Sequence, residues 1–427
     1  MKNKRGLFVL GLVSFCLLLA VASPAFASKS KTYVTGLPSN GLGVYTAAAY
    51  HPSGTLTYAK GSRRIAVSRQ YVRVYRYSSG AWRYYTKVRT STKGKFSLAL
   101  TTGYRYQVKY LGSSRLKSSA SAQFRLVDPR NTVYAVDTYN NRVQVFNRSG
   151  AYLFQFGSYG TSAGYLANPF SIARDGHGNV YVTDSSNNRV QKFSCGGKFI
   201  SAFGSYGHLD GMFSKPEGIA VDKASNSVYV VDMSNQRVQK FDTSGRYISQ
   251  WGQSGSTDGR FSNPSQISLD ASGNVYIVDS GNYRVQKFDA AGNYLTQWGS
   301  AGSGNGQFGF GMYGGAWGIA ISPESVVYVV DYANCRVQSF DTTGTYLAQW
   351  GSQGSGNGQF MTACQVSVDA SSNVYVSDVV NCRVQKFDAA GNYLTQWGSQ
   401  GSGSGQFAYS PQGLSVASAR ARLMTAE

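Results

Sequence analysis

Histidine is scarce in this sequence, with three residues among 427: His51, His177 and His208. Catalytic zinc is usually held by two or three histidines that meet in one place. Only two of the three histidines, His177 and His208, lie beyond residue 129, and no matching cluster of zinc ligands can be assembled around them. We therefore expect no metal site and no other cofactor.

Long apolar runs are also scarce. The one at residues 7–21 follows a basic N-terminus and is shorter than the roughly 20 residues that cross a bilayer. Pro24 and the small residues after it complete the pattern of a secretory signal peptide, residues 1–27, cleaved after Ala27. A membrane anchor is the alternative. We expect a secreted or cell-surface protein with no transmembrane segment after cleavage.

Acidic residues are nearly absent from the first part of the chain. Residues 28–128 contain 18 basic residues and one acid, Asp128, whereas residues 129–427 have a net charge of only +1. Such asymmetry predicts two domains with different partners, a basic one at 28–128 and a second at 129–418, followed by a tail at 419–427. The basic domain should be attracted to anionic surfaces.

Apolar and polar residues alternate along the basic domain, between glycine-containing turns. In residues 71–77 the alternation places Val72 and Val74 inward and Arg73 outward. In residues 82–89 it places four side chains on one face: Arg83, Tyr85, Lys87 and Arg89. This pattern predicts an antiparallel β-sandwich with one solvated face per sheet.

Three segments of the basic domain resemble bacterial Ig-like modules of surface proteins: 72–76, 92–96 and 106–112. Basic and aromatic side chains that alternate on one face can hold an anionic polymer by charge pairing and ring stacking. We expect this role for Arg73, Arg83, Tyr85, Lys87 and Arg89, with a cell-envelope polymer as the partner and nucleic acid as a second candidate. A solvated surface whose charge only maintains solubility is the alternative.

The rest of the chain is built from one repeated unit. A motif close to Val-Tyr-Val-x-Asp-x-x-Asn-x-Arg-Val-Gln occurs six times, and its arginines are 47, 48, 47, 52 and 47 residues apart. A fixed period of this length predicts a repeat architecture. Each unit contains four short strand patterns separated by turns, so six units predict an all-β, six-bladed β-propeller.

The units resemble NHL repeats over residues 129–418. The likeness lies in Pro-x-Gly-Ile-Ala-Val-Asp at 216–222, Val-Tyr-Ile-Val-Asp at 275–279 and Asn-x-Arg-Val-Gln-Lys-Phe at 282–288. The resemblance implies a propeller that presents a binding rim. Related lyases use histidine-bound zinc, which this sequence does not supply, and some NHL propellers bind RNA.

The strand that closes the ring is open to two interpretations. The first unit lacks a clear Pro-x-Gly strand, and the chain has an extra one at residues 411–417. We favour closure of the first blade by this C-terminal strand, which would leave no open sheet edge. The alternative uses residues 124–128 in its place.

Each unit pairs an aspartate with an arginine five residues later across a tight turn. This spacing suits a charge-assisted hydrogen bond that stabilises the hairpin. A catalytic group needs one special environment rather than six equal ones. We therefore expect a structural role for all six pairs: Asp137–Arg142, Asp184–Arg189, Asp232–Arg237, Asp279–Arg284, Asp331–Arg336 and Asp378–Arg383.

Strand direction places these turns and the start of strand one on the same rim, which is a ligand face in propellers generally. Residues just before strand one vary between units: Phe170, Glu217, Ser265, Trp317, Cys364 and Gln412. Residues before the repeat arginine vary too: Asn141, Asn188, Gln236, Tyr283, Cys335 and Cys382. Because the rest of the unit is regular, we expect specificity to lie at these positions.

The 52-residue gap contains an extra aromatic and glycine-rich segment at 309–317 on the same rim. It is either a contact loop or a neutral surface insertion. We predict a ligand-binding rim formed by Phe170, Glu217, Tyr283, Tyr313 and Trp317, with a protein or glycan as the partner. A metal-dependent hydrolase or lyase is the second hypothesis, and nucleic-acid binding, disfavoured by the near-zero charge of this domain, is the third.

Four cysteines follow the predicted signal peptide. Three of them, Cys335, Cys364 and Cys382, belong to the last two units. An oxidising compartment makes a disulfide between Cys364 and either Cys335 or Cys382 plausible. Free buried thiols are the alternative.

Overall fold

A computed structural model of the chain divides it into two compact units, Met1–Asp128 and Pro129–Glu427. In the first unit the structure describes residues 32–35, 42–44, 53–60, 63–66, 69–78, 81–93, 95–97, 105–111, 119–120 and 124–127. In the second it describes residues 131–311, 315–409 and 411–416. The predicted signal peptide, the C-terminal tail and Tyr313 lie outside these ranges.

The described residues of the first unit form ten strands in two sheets. They are β1 Thr32–Thr35, β2 Leu42–Val44, β3 Ser53–Lys60, β4 Arg63–Ala66, β5 Tyr71–Ser78, β6 Ala81–Arg89, β7 Lys95–Ser97, β8 Arg105–Tyr110, β9 Ser119–Ala120 and β10 Phe124–Val127. One sheet has the order β1-β3-β4 with β7 on β3. The other has the order β2-β10-β8-β5-β6 with β9 on β8.

The second unit consists of six four-stranded antiparallel sheets, which we call blades 1 to 6. Strands β11–β13 are Thr132–Asp137, Arg142–Asn147 and Tyr152–Phe156. Strands β14–β17 are Pro169–Arg174, Val180–Asp184, Arg189–Phe193 and Phe199–Phe203. Strands β18–β21 are Pro216–Asp222, Ser227–Asp232, Arg237–Asp242 and Tyr247–Trp251.

Blades 4 to 6 follow the same order. Strands β22–β25 are Pro264–Leu269, Val275–Asp279, Arg284–Phe288 and Tyr294–Trp298. Strands β26–β29 are Ala316–Ile321, Val327–Asp331, Arg336–Phe340 and Tyr346–Trp350. Strands β30–β33 are Ala363–Val368, Val374–Asp378, Arg383–Phe387 and Tyr393–Trp397, and the last strand, β34, is Pro411–Val416.

The C-terminal strand closes the ring, as the sequence predicted. Strand β34 pairs antiparallel with β11, so blade 1 has the order β13-β12-β11-β34. The alternative is wrong, because β10 pairs with β8 and β2 in the first unit. The innermost strands contact one another in a closed circle, in the order β34, β14, β18, β22, β26 and β30. Both ends of the repeat region are therefore held in one sheet.

The core lies between neighbouring blades. Strand two of each blade is buried on both faces, as in Val275–Asp279, where every residue is buried. Such strands read as continuous apolar runs rather than as alternating patterns. Between blades 3 and 4, for example, Tyr229 and Val231 pack with Phe261, Ile267 and Phe288. Each blade is thus stabilised by its neighbours rather than by a core of its own.

The predicted aspartate–arginine pair is present in every blade, with Nε to Oδ2 distances between 2.7 and 3.0 Å. The arginine also donates to the loop that leads into its blade. In blade 3, Arg237 reaches the carbonyl oxygens of Leu209 and Met212 at 2.9 and 2.8 Å. Asn235 donates to Asp232 and to the carbonyl of Gly207. The network therefore fixes the loops on one rim of the ring.

None of the helices in the described part of the chain is long and apolar enough to cross a membrane. Three single-turn 3-10 helices, Ser185–Asn187, Met233–Asn235 and Ser280–Asn282, lie in the turns between strands two and three of blades 2 to 4.

Candidate functional site

The turns between strands two and three lie beside the start of strand one, as the sequence predicted. Pro169 at the start of β14 is opposite Asp184 at the end of β15, and Pro216 is opposite Asp232. We call this side of the propeller the Asp-x-x-Asn rim. The loops fixed by the arginine network open onto it.

Six variable residues occupy equivalent positions around the centre of this rim. They were expected just before strand one, but the structure places each of them inside it, as its second residue. We call the set the axial ring: Gln412, Phe170, Glu217, Ser265, Trp317 and Cys364. In the circle of innermost strands these residues form three opposite pairs, Gln412 with Ser265, Phe170 with Trp317, and Glu217 with Cys364.

Two aromatic members of the axial ring meet across the propeller axis. The rings of Phe170 in blade 2 and Trp317 in blade 5 are stacked, with centroids 6.2 Å apart and planes inclined by 29°. Trp317 also packs against Tyr332, at 5.4 Å between centroids. Because blades 2 and 5 lie on opposite sides of the circle, the two rings occupy the axis at this level.

Glu217 is a buried carboxyl group in the axial ring, with 2% of its surface exposed. Burial raises its pKa to about 7, and the Lys215 ammonium, 3.1 Å from the carboxylate, opposes the shift. Burial also raises the thiol pKa of Cys364, and the charge of Glu217 adds to that shift. The ring thus contains one carboxyl that changes charge near neutral pH beside an aromatic stack.

A second layer lies one residue further along strand one. It alternates three glycines in blades 1, 3 and 5 with three polar residues in blades 2, 4 and 6, which are Ser171, Gln266 and Gln365. The Ser171 hydroxyl donates to Gln266 Oε1 at 3.2 Å. Gln266 Nε2 is buried and has no hydrogen-bond partner within the described part of the chain. A Cβ on Gly318 would lie 2.5 Å from the Cys364 carbonyl oxygen, so the glycines allow the strands to approach closely.

Several residues before the repeat arginine connect neighbouring blades. In blades 1 to 3 their side-chain oxygens accept hydrogen bonds, of 2.8 to 2.9 Å, from backbone amides at the start of the next blade: Asn141 from Asn168, Asn188 from Lys215 and Gln236 from Asn263. All six residues have positive φ, a conformation that favours asparagine among non-glycine residues. In blade 4 this residue is Tyr283, whose ring contacts that of Phe310 with centroids 5.6 Å apart.

Phe310 belongs to the extra segment of blade 5 and was not singled out by its sequence pattern. Its side chain is 75% exposed. Exposed apolar side chains continue from it around the Asp-x-x-Asn rim through blades 6 and 1. We call this set the apolar crescent: Phe310, Met361, Val380, Tyr139 and Tyr409. At the turn position of Tyr139 and Val380, blades 2 to 4 have Ser186, Ser234 and Gly281.

In the described part of the chain, Cys335, Cys364 and Cys382 form no disulfide with one another. The expected partners of Cys364 have different surroundings. Cys335 Sγ donates to the Met361 carbonyl at 3.6 Å, and Cys382 Sγ donates to the Val380 carbonyl at 3.7 Å. Both lie in turns of the rim, whereas Cys364 lies in the axial ring. The structure therefore has the alternative, free buried thiols, at these three positions.

A β-bulge changes the predicted basic face of the first unit. Strand β6 pairs with β5 in register from Arg89 to Thr86, opposite Tyr71 to Val74, but Tyr84 then lies opposite Tyr75. Tyr85 is the extra residue, and its ring contacts the buried ring of Tyr106 at 5.8 Å. The assignment of Tyr85 and Arg83 to the face of Lys87 was therefore wrong, because a bulge reverses the alternation beyond it.

The exposed face of this sheet is therefore formed by a different set of side chains. It contains the expected Arg73, Lys87 and Arg89 and, in addition, Tyr71, Tyr75, Tyr84 and Lys109. Lys87 Nζ lies 4.8 Å from the centroid of the Tyr71 ring, and Lys109 Nζ lies 4.9 Å from that of Tyr75. These distances are typical of cation–π contacts.

Within the residues that the structure describes, no group of three histidine, cysteine, aspartate or glutamate side chains is placed to hold a metal ion. Residues 174–250 and 227–301 match a family model described as a six-bladed β-propeller. Comparison with curated proteins gives no significant match.

Several solved structures are similar to this chain. Virginiamycin B lyase from Staphylococcus aureus is 12% identical, with 62% of this chain and 84% of that chain covered and a TM-score of 0.44. A chain of a nidogen/laminin complex is 16% identical, with 66% and 97% covered and a TM-score of 0.47. A structural genomics protein from Bacteroides thetaiotaomicron is 17% identical, with 88% of each chain covered and a TM-score of 0.44. The closed circle of six four-stranded sheets and the matching family model together identify the second unit as a six-bladed β-propeller.

Proposed function

We propose that this chain is an exported binding protein without catalytic activity, whose propeller holds a protein or glycan on the Asp-x-x-Asn rim. In this proposal the propeller is of the NHL type, and the first unit is an Ig-like module that attaches the protein to an anionic polymer of the cell envelope. The observation that carries the proposal is the aromatic stack of Phe170 and Trp317 at the rim centre.

The aromatic stack forms the floor of the proposed site, and the apolar crescent forms one side of it. Apolar side chains that are exposed together as a patch often mark an interaction surface, whereas single exposed ones are common and need no explanation. Aromatic residues are also enriched among the side chains that dominate binding energy. The crescent covers turns of blades 5, 6 and 1, whereas blades 2 to 4 have serine or glycine at the turn position of Tyr139 and Val380, so we place the ligand over these three blades.

Glu217 gives the proposed floor a carboxyl group whose charge depends on pH and on the Lys215 ammonium beside it. Its ion pair with Lys215, whose side chain is 53% exposed, connects the buried carboxylate to the surface of the rim. A ligand group that engages Lys215 would alter the balance of charge at Glu217. We therefore expect ligand affinity to change between pH 6 and 8, which brackets the pKa of about 7.

The proposal is tested by binding of the purified full-length protein to an immobilised panel of oligosaccharides and peptides. The Phe310→Ala and Tyr139→Ala variants remove exposed side chains of the crescent. Leu295→Ala removes an exposed apolar side chain from an outer strand and is the matched control. For any panel member that binds, each crescent variant should weaken binding about tenfold, a loss of about 1.4 kcal/mol, and the control should not. Equal effects of all three variants would place the site elsewhere.

A further inference from the structure

Three cations form a row across the exposed face of the first unit. Arg73 on β5 lies directly opposite Lys87 on β6 and directly opposite Lys109 on β8. Adjacent strands are about 4.8 Å apart, so the row presents a positive charge roughly every 5 Å across the strands. We call Lys87, Arg73 and Lys109 the cation row. Like charges directly opposite one another on adjacent strands are destabilising.

The first unit offers the row almost no compensating charge. Between residues 28 and 128 the sequence contains a single acid, Asp128, against 18 basic residues. A row of like charges that carries an energetic penalty, in a unit with a single acid, favours binding of a polyanion. Counterion release would add to the affinity of such a complex and make it sensitive to salt.

The tyrosines of this face hold the row in place. The Lys87 ammonium lies over the Tyr71 ring and the Lys109 ammonium over the Tyr75 ring, so both lysines have preferred positions. Tyr75 also meets the edge of Tyr84, with centroids 6.2 Å apart. Proteins that bind single-stranded nucleic acid stack bases on open aromatic rings. Here cations of the protein already cover a face of the Tyr71 and Tyr75 rings, which favours a ligand recognised by its charges rather than by bases.

We infer that the cation row binds a linear polyol-phosphate polymer that runs across strands β6, β5 and β8. This inference rests on the proposed attachment of the first unit to an anionic polymer and names its chemistry. A flexible polyol chain can bring successive phosphates to neighbouring cations, and the Arg73 guanidinium at the centre can form two parallel hydrogen bonds to one phosphate. In an acidic polysaccharide the rigid sugar ring fixes the distance between successive carboxylates, so the chain adapts less readily to the spacing of the row.

The experiment uses the full-length protein and three probes with equal numbers of charges: a poly(glycerol phosphate) oligomer, single-stranded DNA and oligogalacturonate. Affinity is measured over a series of salt concentrations for the wild type and for Arg73→Gln and Lys87→Gln. Arg83→Gln is the matched control. It removes an exposed cation from the same strand as Lys87, but the bulge places Arg83 on the opposite face.

The inference predicts that poly(glycerol phosphate) binds the wild type most tightly. Arg73→Gln and Lys87→Gln should each weaken that binding about five- to tenfold and lower the salt slope by about one, whereas Arg83→Gln should change neither. Equal weakening by Arg83→Gln, or equally tight binding of DNA or oligogalacturonate, would overturn the inference and leave attachment to a polyanion standing. Absence of binding to all three probes would instead reject the proposed attachment itself.

Discussion

Phe170 and Trp317 belong to opposite blades, yet their rings stack at 6.2 Å across the propeller axis. Blades 2 and 5 share no sheet and are not neighbours in the circle of innermost strands, so this contact joins two opposite parts of the ring. It also makes the two residues a common floor for the proposed site. Their energetic coupling can be measured separately from any ligand.

A double-mutant cycle should detect the Phe170–Trp317 contact in the free energy of unfolding. Phe170→Ala alone should cost about 3 kcal/mol, because its side chain is buried. The coupling with Trp317→Ala should be about 1 kcal/mol, as for other aromatic pairs. Phe170→Ala and the distant Leu295→Ala should be additive within about 0.5 kcal/mol. If the effects of Phe170→Ala and Trp317→Ala were also additive, the two rings would not interact.

Glu217 should make stability fall as the pH rises. Its folded pKa of about 7 lies above the ordinary value of 4.5, so between these two values the folded state binds more protons than the unfolded state. The contribution is complete below pH 4.5 and is lost as pH rises to about 7. Glu217→Gln should remove this slope and be more stable than the wild type at pH 8, by about 2 to 3 kcal/mol. Urea titrations of both proteins at pH 4, 6 and 8 give the comparison, and parallel curves would contradict it.

The close approach of strand one in neighbouring blades should make Gly318 intolerant of a side chain. A Cβ there would lie 2.5 Å from the Cys364 carbonyl oxygen, whereas a Cβ on Gly176 would meet its nearest neighbour at 3.9 Å. Gly318→Ala should therefore lower the free energy of unfolding by about 2 kcal/mol through overpacking. Gly176→Ala is the matched control and should be within about 0.5 kcal/mol of the wild type. Thermal or chemical denaturation gives the free energy of unfolding of each variant. Equal values for Gly318→Ala and Gly176→Ala would mean that the first strands of blades 5 and 6 do not approach so closely.

The arginine network should be weaker in blade 2 than in blade 3. Arg237 donates to the Gln250 side chain, but Ala202 occupies the equivalent position beside Arg189. The Arg189 side chain is also more exposed, at 17% against 8%. Arg237→Ala should cost about 3 to 4 kcal/mol by leaving Asp232 buried without its partner. Arg189→Ala should cost at least about 1 kcal/mol less, and unfolding curves that show equal losses would contradict this ranking.

The propeller could be predicted largely from the period of the repeat. Six arginines at nearly constant spacing predicted six blades, and the extra Pro411–Val416 strand predicted how the circle closes. Strand alternation predicted that the Asp-x-x-Asn turns share a rim with the start of strand one. These features follow from local patterns that every blade repeats, so each unit supports the interpretation of the others.

Contacts made by residues that differ from one blade to the next could not be predicted from the repeat pattern. Asn141 and Gln236 varied between units and so resembled specificity positions, although their amides connect one blade to the next. Their positive φ, which favours asparagine, was the available signal. Pairing of Phe170 with Trp317 required the circular order of blades, which places bulky aromatic residues only at opposite positions of the axial ring.

The bulge in β6 shows a further limit of sequence patterns. Alternation assigned Tyr85 to the exposed face, but the pattern does not reveal an inserted residue, since aromatic and basic residues occur on both faces of this strand. Pairing with β5 sets the register instead. The cation row was missed for the same reason, because Lys109 belongs to β8 and becomes a neighbour of Arg73 only in the sheet.

The most direct test of the account is hydrogen exchange of the full-length protein, free and bound to the tightest ligand of the oligosaccharide and peptide panel. If the Asp-x-x-Asn rim is the binding site, slower exchange should appear at residues 309–311, 332–335, 379–382 and 138–141. Turns on the opposite rim, such as residues 175–179 and 223–226, should exchange at the same rate in both states. Protection confined to the opposite rim or to the outer strands would contradict the central claim.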